Sequence, residues 1–160
     1  MAEQKTNVMR VLGQKKIKYT AHEYPHGDEA VDGRTVAKII GRDPACVFKT
    51  LVTRGASKGI YVFVIPVEGE LDLKKAAKTV GEKSIAMVHV SEINALTGYV
   101  RGGCSPIGMK KQFKTVYHSS ILSQNTVLVS AGKIGQQVEL FPADLIGLTR
   151  GDTANIVTEV

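Results

Sequence analysis

The stretch VFKTLVTRGASKGIYVFVIPV, residues 47–67, sets two β-rich runs on either side of a loop that carries two glycines. Val47–Thr53 and Ile60–Val67 have strand length, and RGASKG between them suits a hairpin connection longer than two residues. The pair reads as the middle of a sheet. Alternation along the first run places Val47, Lys49 and Leu51 on one face and Phe48, Thr50 and Val52 on the other. A cation therefore stands between two apolar neighbours. Lys49 is either an edge-strand lysine that snorkels to water, or a partly desolvated ammonium lining a cavity and able to bind a carbonyl or phosphate oxygen.

Upstream of the hairpin, Glu3–Lys16 carries Val8, Met9, Val11 and Leu12 at helical spacing, and Ile17–Tyr24 alternates as a half-buried strand does. After the turn-rich PHGDEAVDG, Arg34–Ile40 predicts a short helix closed by Gly41, and Asp43 with Pro44 predicts one capped turn. Downstream, Asp72 is the expected N-cap of a helix through LKKAAKTV that stops at Gly81. Ile85–Val90 reads as a strand, and Ser91 with Asn94 opens a short helix that Gly98 ends. Further strands are expected at Thr115–His118, Val127–Ser130 and Gln137–Phe141, before a last helix from Pro142. Strands and helices interleave without a regular βαβ period, so the fold class is a mixed-sheet α/β or α+β domain rather than a doubly wound one.

The 160 residues are most simply one domain, 1–160, since no repeat, low-complexity tract or linker divides them. No apolar run approaches the length needed to span a bilayer, which argues against a membrane partner. MAEQKTNVMR lacks the charged start and apolar stretch of a secretory signal, so a cytoplasmic address is expected. Lysine and arginine outnumber aspartate and glutamate 21 to 15, and the resulting charge of +6 favours a polyanionic partner. The glycine patterns of dinucleotide and P-loop sites are absent, and no cofactor is expected.

GGCSPIG, residues 102–108, is the second informative stretch. Gly102 and Gly103 strip side chains from the backbone, so its N–H groups can approach a ligand, and Pro106 fixes the path beyond them. The segment is either an anion or oxyanion cradle or a plain tight turn. Cys104 within it lacks a sequence-near base that would make thiolate. Ser105 and Ser130 lie outside any G-x-S-x-G elbow. His22 and His26 flank Pro25 in an extended segment, Cys46 and Cys104 form no metal spacing, and no metal site is expected. Lys74, Lys75 and Lys78, and again Lys110, Lys111 and Lys114, are either solvated helix faces or patches suited to a phosphate backbone.

VFKTLV, PVEGELDLKKAAKTVG, TGYVRGGCSPIGMKKQ and VSAGKIGQQVEL occur in the order and spacing of the YbaK/EbsC family of aminoacyl-tRNA deacylases, which the chain resembles from its first helix to about Leu148. That family is similar to the editing domain of bacterial prolyl-tRNA synthetases. The resemblance implies a curled mixed β-sheet flanked by helices, and hydrolysis of Cys-tRNA(Pro) in trans. Its implied partners are the acceptor end of tRNA(Pro) and, transiently, prolyl-tRNA synthetase. It implies Lys49 as the residue required for activity, followed by Thr50. Tyr24, Gly102, Gly103, Ser105, Pro106, Gly108, Ser130, Gly132 and Gln137 follow as the pocket, with Lys133 completing the turn after Ser130. In the family the substrate's own thiol attacks its ester, so the protein supplies orientation and charge. One departure stands out: Gln137 occupies a position where aspartate is usual, which turns an acceptor carboxylate into a neutral amide. Deacylation of Ala-tRNA(Pro) or a broader set of small aminoacyl groups, and a tRNA or synthetase-binding module without turnover, are the alternatives.

Overall fold

A computed structural model describes residues 5–27 and 31–159. Helix α1 (Asn7–Gln14) starts at Thr6, whose hydroxyl accepts from the Met9 N–H at 3.2 Å, and buries Val8, Met9 and Leu12. The expected first residues of that helix, Glu3 and Gln4, lie outside the described residues, as do Asp28–Ala30 of the following turn. Strand β1 (Thr20–Glu23) is shorter than the alternating run, because only these four residues find a pairing partner.

Helix α2 (Gly33–Ile40) ends on Gly41 at φ 81°, and Asp43 caps the 3-10 turn Pro44–Cys46 by accepting from the Ala45 N–H at 2.9 Å. Strands β2 (Phe48–Gly55) and β3 (Ile60–Pro66) form the expected hairpin. Helix α3 (Leu73–Val80) begins on Asp72, which accepts from the Lys74 and Lys75 N–H groups, and stops at Gly81. Strand β4 (Ile85–Met87) ends early because helix α4 (Val90–Thr97) begins sooner than Ser91 predicts. His89 is its cap: the imidazole accepts from the Ser91 N–H, and Glu92 reaches back to the His89 N–H at 3.2 Å. Then follow β5 (Lys114–His118), β6 (Val127–Ser130), β7 (Gln136–Leu140) and α5 (Pro142–Thr149). A last strand, β8 (Asp152–Ala154), has no counterpart in the sequence reading, since three residues are too few to show alternation.

The strands pair in two ladders, β1-β7-β6 and β4-β2-β3-β5-β8. The first is antiparallel; in the second, β3 with β5 and β5 with β8 run parallel and the rest antiparallel, so the architecture is mixed α+β. Val47 bridges Leu128, which carries the strand path around a corner from one ladder to the other. Between the ladders lies the larger core, built from Val8, Leu12, Phe48, Val62, Val64, Tyr117, Val129 and Leu145. A second core under α3 holds Phe63, Ile65, Ala76 and Ile156. β3 feeds both, Val62 and Val64 to one and Phe63 and Ile65 to the other, which accounts for its unbroken apolar run.

The hairpin stands at the centre of its ladder, yet β4 pairs with β2 only over Thr53–Gly55. Among the described residues no ladder pairs the far side of β2 from Phe48 to Leu51, and β6 meets the strand there only at the Val47–Leu128 bridge. Residues 47–51 of this stretch line a cleft.

Candidate active site

The cleft beside that stretch encloses about 550 Å³, within the range of small-ligand sites. Residues 47–51 form one wall. Tyr24, beyond the end of β1, and Asp32 with Val36 at the start of α2 form another. Arg101, Gly102 and Cys104 close it opposite, with Ser130 and Gln137 from β6 and β7.

Lys49 is half-buried and pairs with Ile65 across the hairpin. Burial pushes its pKa below the usual lysine value, while the Glu70 and Asp32 carboxylates oppose that shift. Neither carboxylate closes to an ion pair, and Lys49 has no hydrogen-bond partner among the described residues. Thr50 Oγ1 and Gln137 Oε1 are buried and without a hydrogen-bond partner. Leaving a buried polar atom unpaired costs about 1–3 kcal/mol. Thr50, Gln137 and Lys49 all line the cleft, which gathers three polar groups without protein partners in one place.

The glycine loop divides into two halves. Its front is at the cleft: Gly102 is exposed with φ 85°, and Gly103 lies directly behind it, buried against the turn after β6. Its rear is an anchor. Ser105 is fully buried with Oγ accepting from the Ile107 N–H at 3.3 Å, and Pro106 is buried beside it. Tyr99 donates to the Ile107 carbonyl at 2.6 Å and Asn7 donates to the Gly108 carbonyl at 2.9 Å. Gly108 has φ 75°, and a Cβ there would stand 2.7 Å from Asn7 Nδ2. Gly132, at φ 96°, packs on the Tyr99 ring, and its N–H donates to Ser130 Oγ at 3.1 Å. Of the residues expected in the pocket, Tyr24, Lys49, Thr50, Gly102, Ser130 and Gln137 line the cleft, whereas Gly103, Ser105, Pro106, Gly108 and Gly132 form the structure behind it.

Sequence reasoning singled out neither Arg101 nor Asp32 and Gly33. The only available signal for Arg101 was a cation directly before the glycine pair; Asp32 approaches Lys49 solely through the fold. Cys104 is in the cleft wall, but burial pushes its thiol up to about 11, so it stays protonated at neutral pH. Of the lysine triplets, Lys75 donates to the Val157 carbonyl at 3.0 Å, which removes it from a solvated patch.

Gly103 has a testable role. A Cβ built on it would lie 3.0 Å from the Ile134 nitrogen and 3.1 Å from the Lys133 Cα, both backbone atoms that cannot swing aside. Gly103→Ala is expected to cost about 1–3 kcal/mol in urea unfolding, because the loop and the 130–134 turn must separate. An unchanged midpoint would show that the two backbones are not pressed together.

A sequence model of the aminoacyl-tRNA editing domain matches residues 28–148. A protein of Enterococcus faecalis (strain ATCC 700802 / V583), named as a candidate Cys-tRNA(Pro)/Cys-tRNA(Cys) deacylase EbsC, is 45% identical over 157 residues, covering 98% of this chain and 96% of that protein. Among solved structures, one described as a candidate trans-editing enzyme for prolyl tRNA synthetase superposes with a TM-score of 0.83 at 23% identity, over 98% of this chain and 100% of that one. The hypothetical protein APE2540 superposes with a TM-score of 0.85 at 20% identity, over 95% and 99% of the two chains. At these identities the structural matches speak for the fold.

Proposed function

The chain belongs to the family of aminoacyl-tRNA editing domains, and from that premise we propose that it hydrolyses the ester of mischarged tRNA, with Cys-tRNA(Pro) as its preferred substrate. The observation that carries this reading is the trio of unpartnered polar groups, Lys49, Thr50 Oγ1 and Gln137 Oε1, along one cleft of about 550 Å³. The whole chain acts as a single editing domain in the cytoplasm. No helix among the described residues is long and apolar enough to cross a membrane.

In this reading the terminal adenosine and its aminoacyl group enter between residues 47–51 and the glycine loop. The Lys49 ammonium and the backbone N–H groups at Gly102 hold the ester carbonyl and the ribose oxygens. The substrate thiol adds to its own ester carbon, and the C–O bond to the ribose breaks. The thiol proton ends on the departing ribose oxygen, and water then opens the cyclic thioester to free cysteine. Attack within one molecule needs no approach of a second reactant, so a protein that only orients the two groups accelerates it strongly. The protonated Cys104 thiol fits this division of labour.

Gln137 supports a second reading. Its neutral amide can accept or donate a hydrogen bond but cannot pair with a charge as a carboxylate does, and a hydrophobic or neutral pocket discriminates weakly between small side chains. Ala-tRNA(Pro) or a wider set of small aminoacyl groups is then the substrate. The purified protein should be incubated with Cys-tRNA(Pro) and Ala-tRNA(Pro), with and without prolyl-tRNA synthetase as the transient partner. Release of cysteine well above a Lys49→Ala control supports the leading reading, and preferential release of alanine supports the second. Release of neither, with salt-sensitive tRNA binding intact, would leave a binding module without turnover.

A cysteine hydrolase built on Cys104 makes the opposite forecast for thiol chemistry. Cys104→Ala is expected to retain most of the deacylation rate, and iodoacetamide at neutral pH is expected to leave the wild type active. Inactivation by both would transfer the nucleophile to the protein.

A further inference from the structure

Next to the cleft lies a shallower groove of about 390 Å³, and three segments of chain line both. Tyr24 lines the cleft and His26 the groove; Arg101 and Gly102 line the cleft and Val100 the groove; Ser130 lines the cleft and Gly132 with Lys133 the groove. Each segment passes from one to the other in about two residues, a span of at most about 7 Å. A polymer whose last unit fills the cleft must leave it, and this groove begins within one unit's reach.

The groove's chemistry is that of a single-stranded nucleic-acid contact. Gly27, Gly98 and Gly132 contribute no side chains to its lining, Val100 is 51% exposed, and Ile134 continues the apolar surface. The His26 ring is exposed and held close against the turn after β6: a Cβ on Gly135 would come 2.0 Å from its Cδ2, and its Nδ1 is 2.8 Å from the Gly27 carbonyl oxygen. Such a pinned, exposed ring is a stacking platform for a base. Lys133 stands in the groove wall, exposed Arg101 stands at the boundary with the cleft, and the Lys110 stem runs past Gly98, where a Cβ would meet its Cγ at 3.2 Å. None of the described lining residues carries a carboxylate. Cations around an apolar floor suit phosphates around a stacked base.

We propose that this groove receives the nucleotide preceding the aminoacylated 3′ residue, its base on His26 and Val100 and its phosphates toward Lys133 and Arg101. The proposal rests on the reading of the cleft as the site of the terminal adenosine. It makes the groove a determinant of RNA engagement separate from the chemistry at Lys49.

The test uses uncharged RNA, so it does not depend on ester hydrolysis. A short labelled RNA ending in CCA is titrated against one that is abasic at the penultimate position, using the wild type, His26→Ala and Val100→Asp. The wild type is expected to bind the intact RNA about 5- to 100-fold more tightly, the range of one base–ring stack. In either variant the two RNAs are expected to bind within about twofold of each other, because base and platform act as one pair. Equal binding of both RNAs by the wild type, a wild-type ratio persisting in both variants, or no binding of either RNA overturns the proposal. A protein that releases cysteine from mischarged tRNA but shows no such coupling keeps the cleft reading and loses the groove. One that shows the coupling but releases no amino acid keeps the groove and loses the enzyme.

Discussion

Lys49→Ala is expected to lower deacylation of Cys-tRNA(Pro) by about 100-fold or more, the scale on which a single preorganised donor acts on developing negative charge. The expectation rests on position more than on charge alone. Lys49 is half-buried in the cleft wall formed by residues 47–51, with no hydrogen-bond partner among the described residues, which leaves its ammonium free to meet a substrate oxygen in the proposed reaction. Lys49→Arg is expected to recover little, because a planar five-donor fork does not reproduce a compact ammonium at the same depth. The pH dependence follows from the lowered pKa. Activity that needs the charged lysine falls on the alkaline side earlier than an ordinary lysine would allow. Stability runs the other way. Between the lowered folded value and the ordinary 10.5, the unfolded chain holds more protons at this position, so this site adds stability as pH rises through that window. Lys49→Met is therefore expected to abolish activity while raising the urea midpoint at neutral pH. A fall in both would recast Lys49 as structural.

Local signals were readable before any fold was known. Gly41, Gly81 and Gly98 each close a helix in the left-handed region, and Asp43 and Asp72 each cap the turn that follows them. All five act within one turn of their own position. Lys49 was legible for a related reason, since strand alternation exposes a cation out of pattern. The two halves of the glycine loop were not separable in the same way. Ser105, Pro106 and Gly108 differ from Gly102 only in what lies beside them, and that is set by Asn7 and Tyr99 from distant elements. Thr50 and Gln137 were marked by the family resemblance and not by any local pattern, and their unpaired atoms exist only once β2, β6 and β7 have packed. His89 escaped notice as a cap because histidine is a rare choice, and it works here through the Glu92 carboxylate that closes the box.

Glu139→Gln is expected to be the most destabilising single change of a charged side chain, and its cost should vanish in acid. The Glu139 side chain, 11% exposed, accepts from His22 at 2.8 Å, from Arg42 at 3.0 Å and from Thr126 at 2.5 Å. Burial pulls its pKa up, but the hydrogen bonds from Thr126, Arg42 and His22, with the Arg42 charge, outweigh burial and hold it at about 2. A folded pKa below the unfolded value near 4.5 means stability that is complete above 4.5 and lost as pH falls toward 2. At neutral pH that contribution is about 2–3 kcal/mol. An amide offers one acceptor where the carboxylate offers two, so the variant leaves buried donors short as well. Urea unfolding of wild type and Glu139→Gln at pH 7 and pH 3 is expected to show a wide gap that narrows sharply; a gap of equal size at both values would refute the ionic account. The consequence reaches the cleft, because Gln137 lies two residues along β7 on the same face as Glu139, β1 leads from His22 to Tyr24, and Arg42 follows α2, whose first turn carries Gly33 and Val36. One carboxylate thus ties together three segments whose residues line the cleft, and its loss should raise KM more than it lowers kcat.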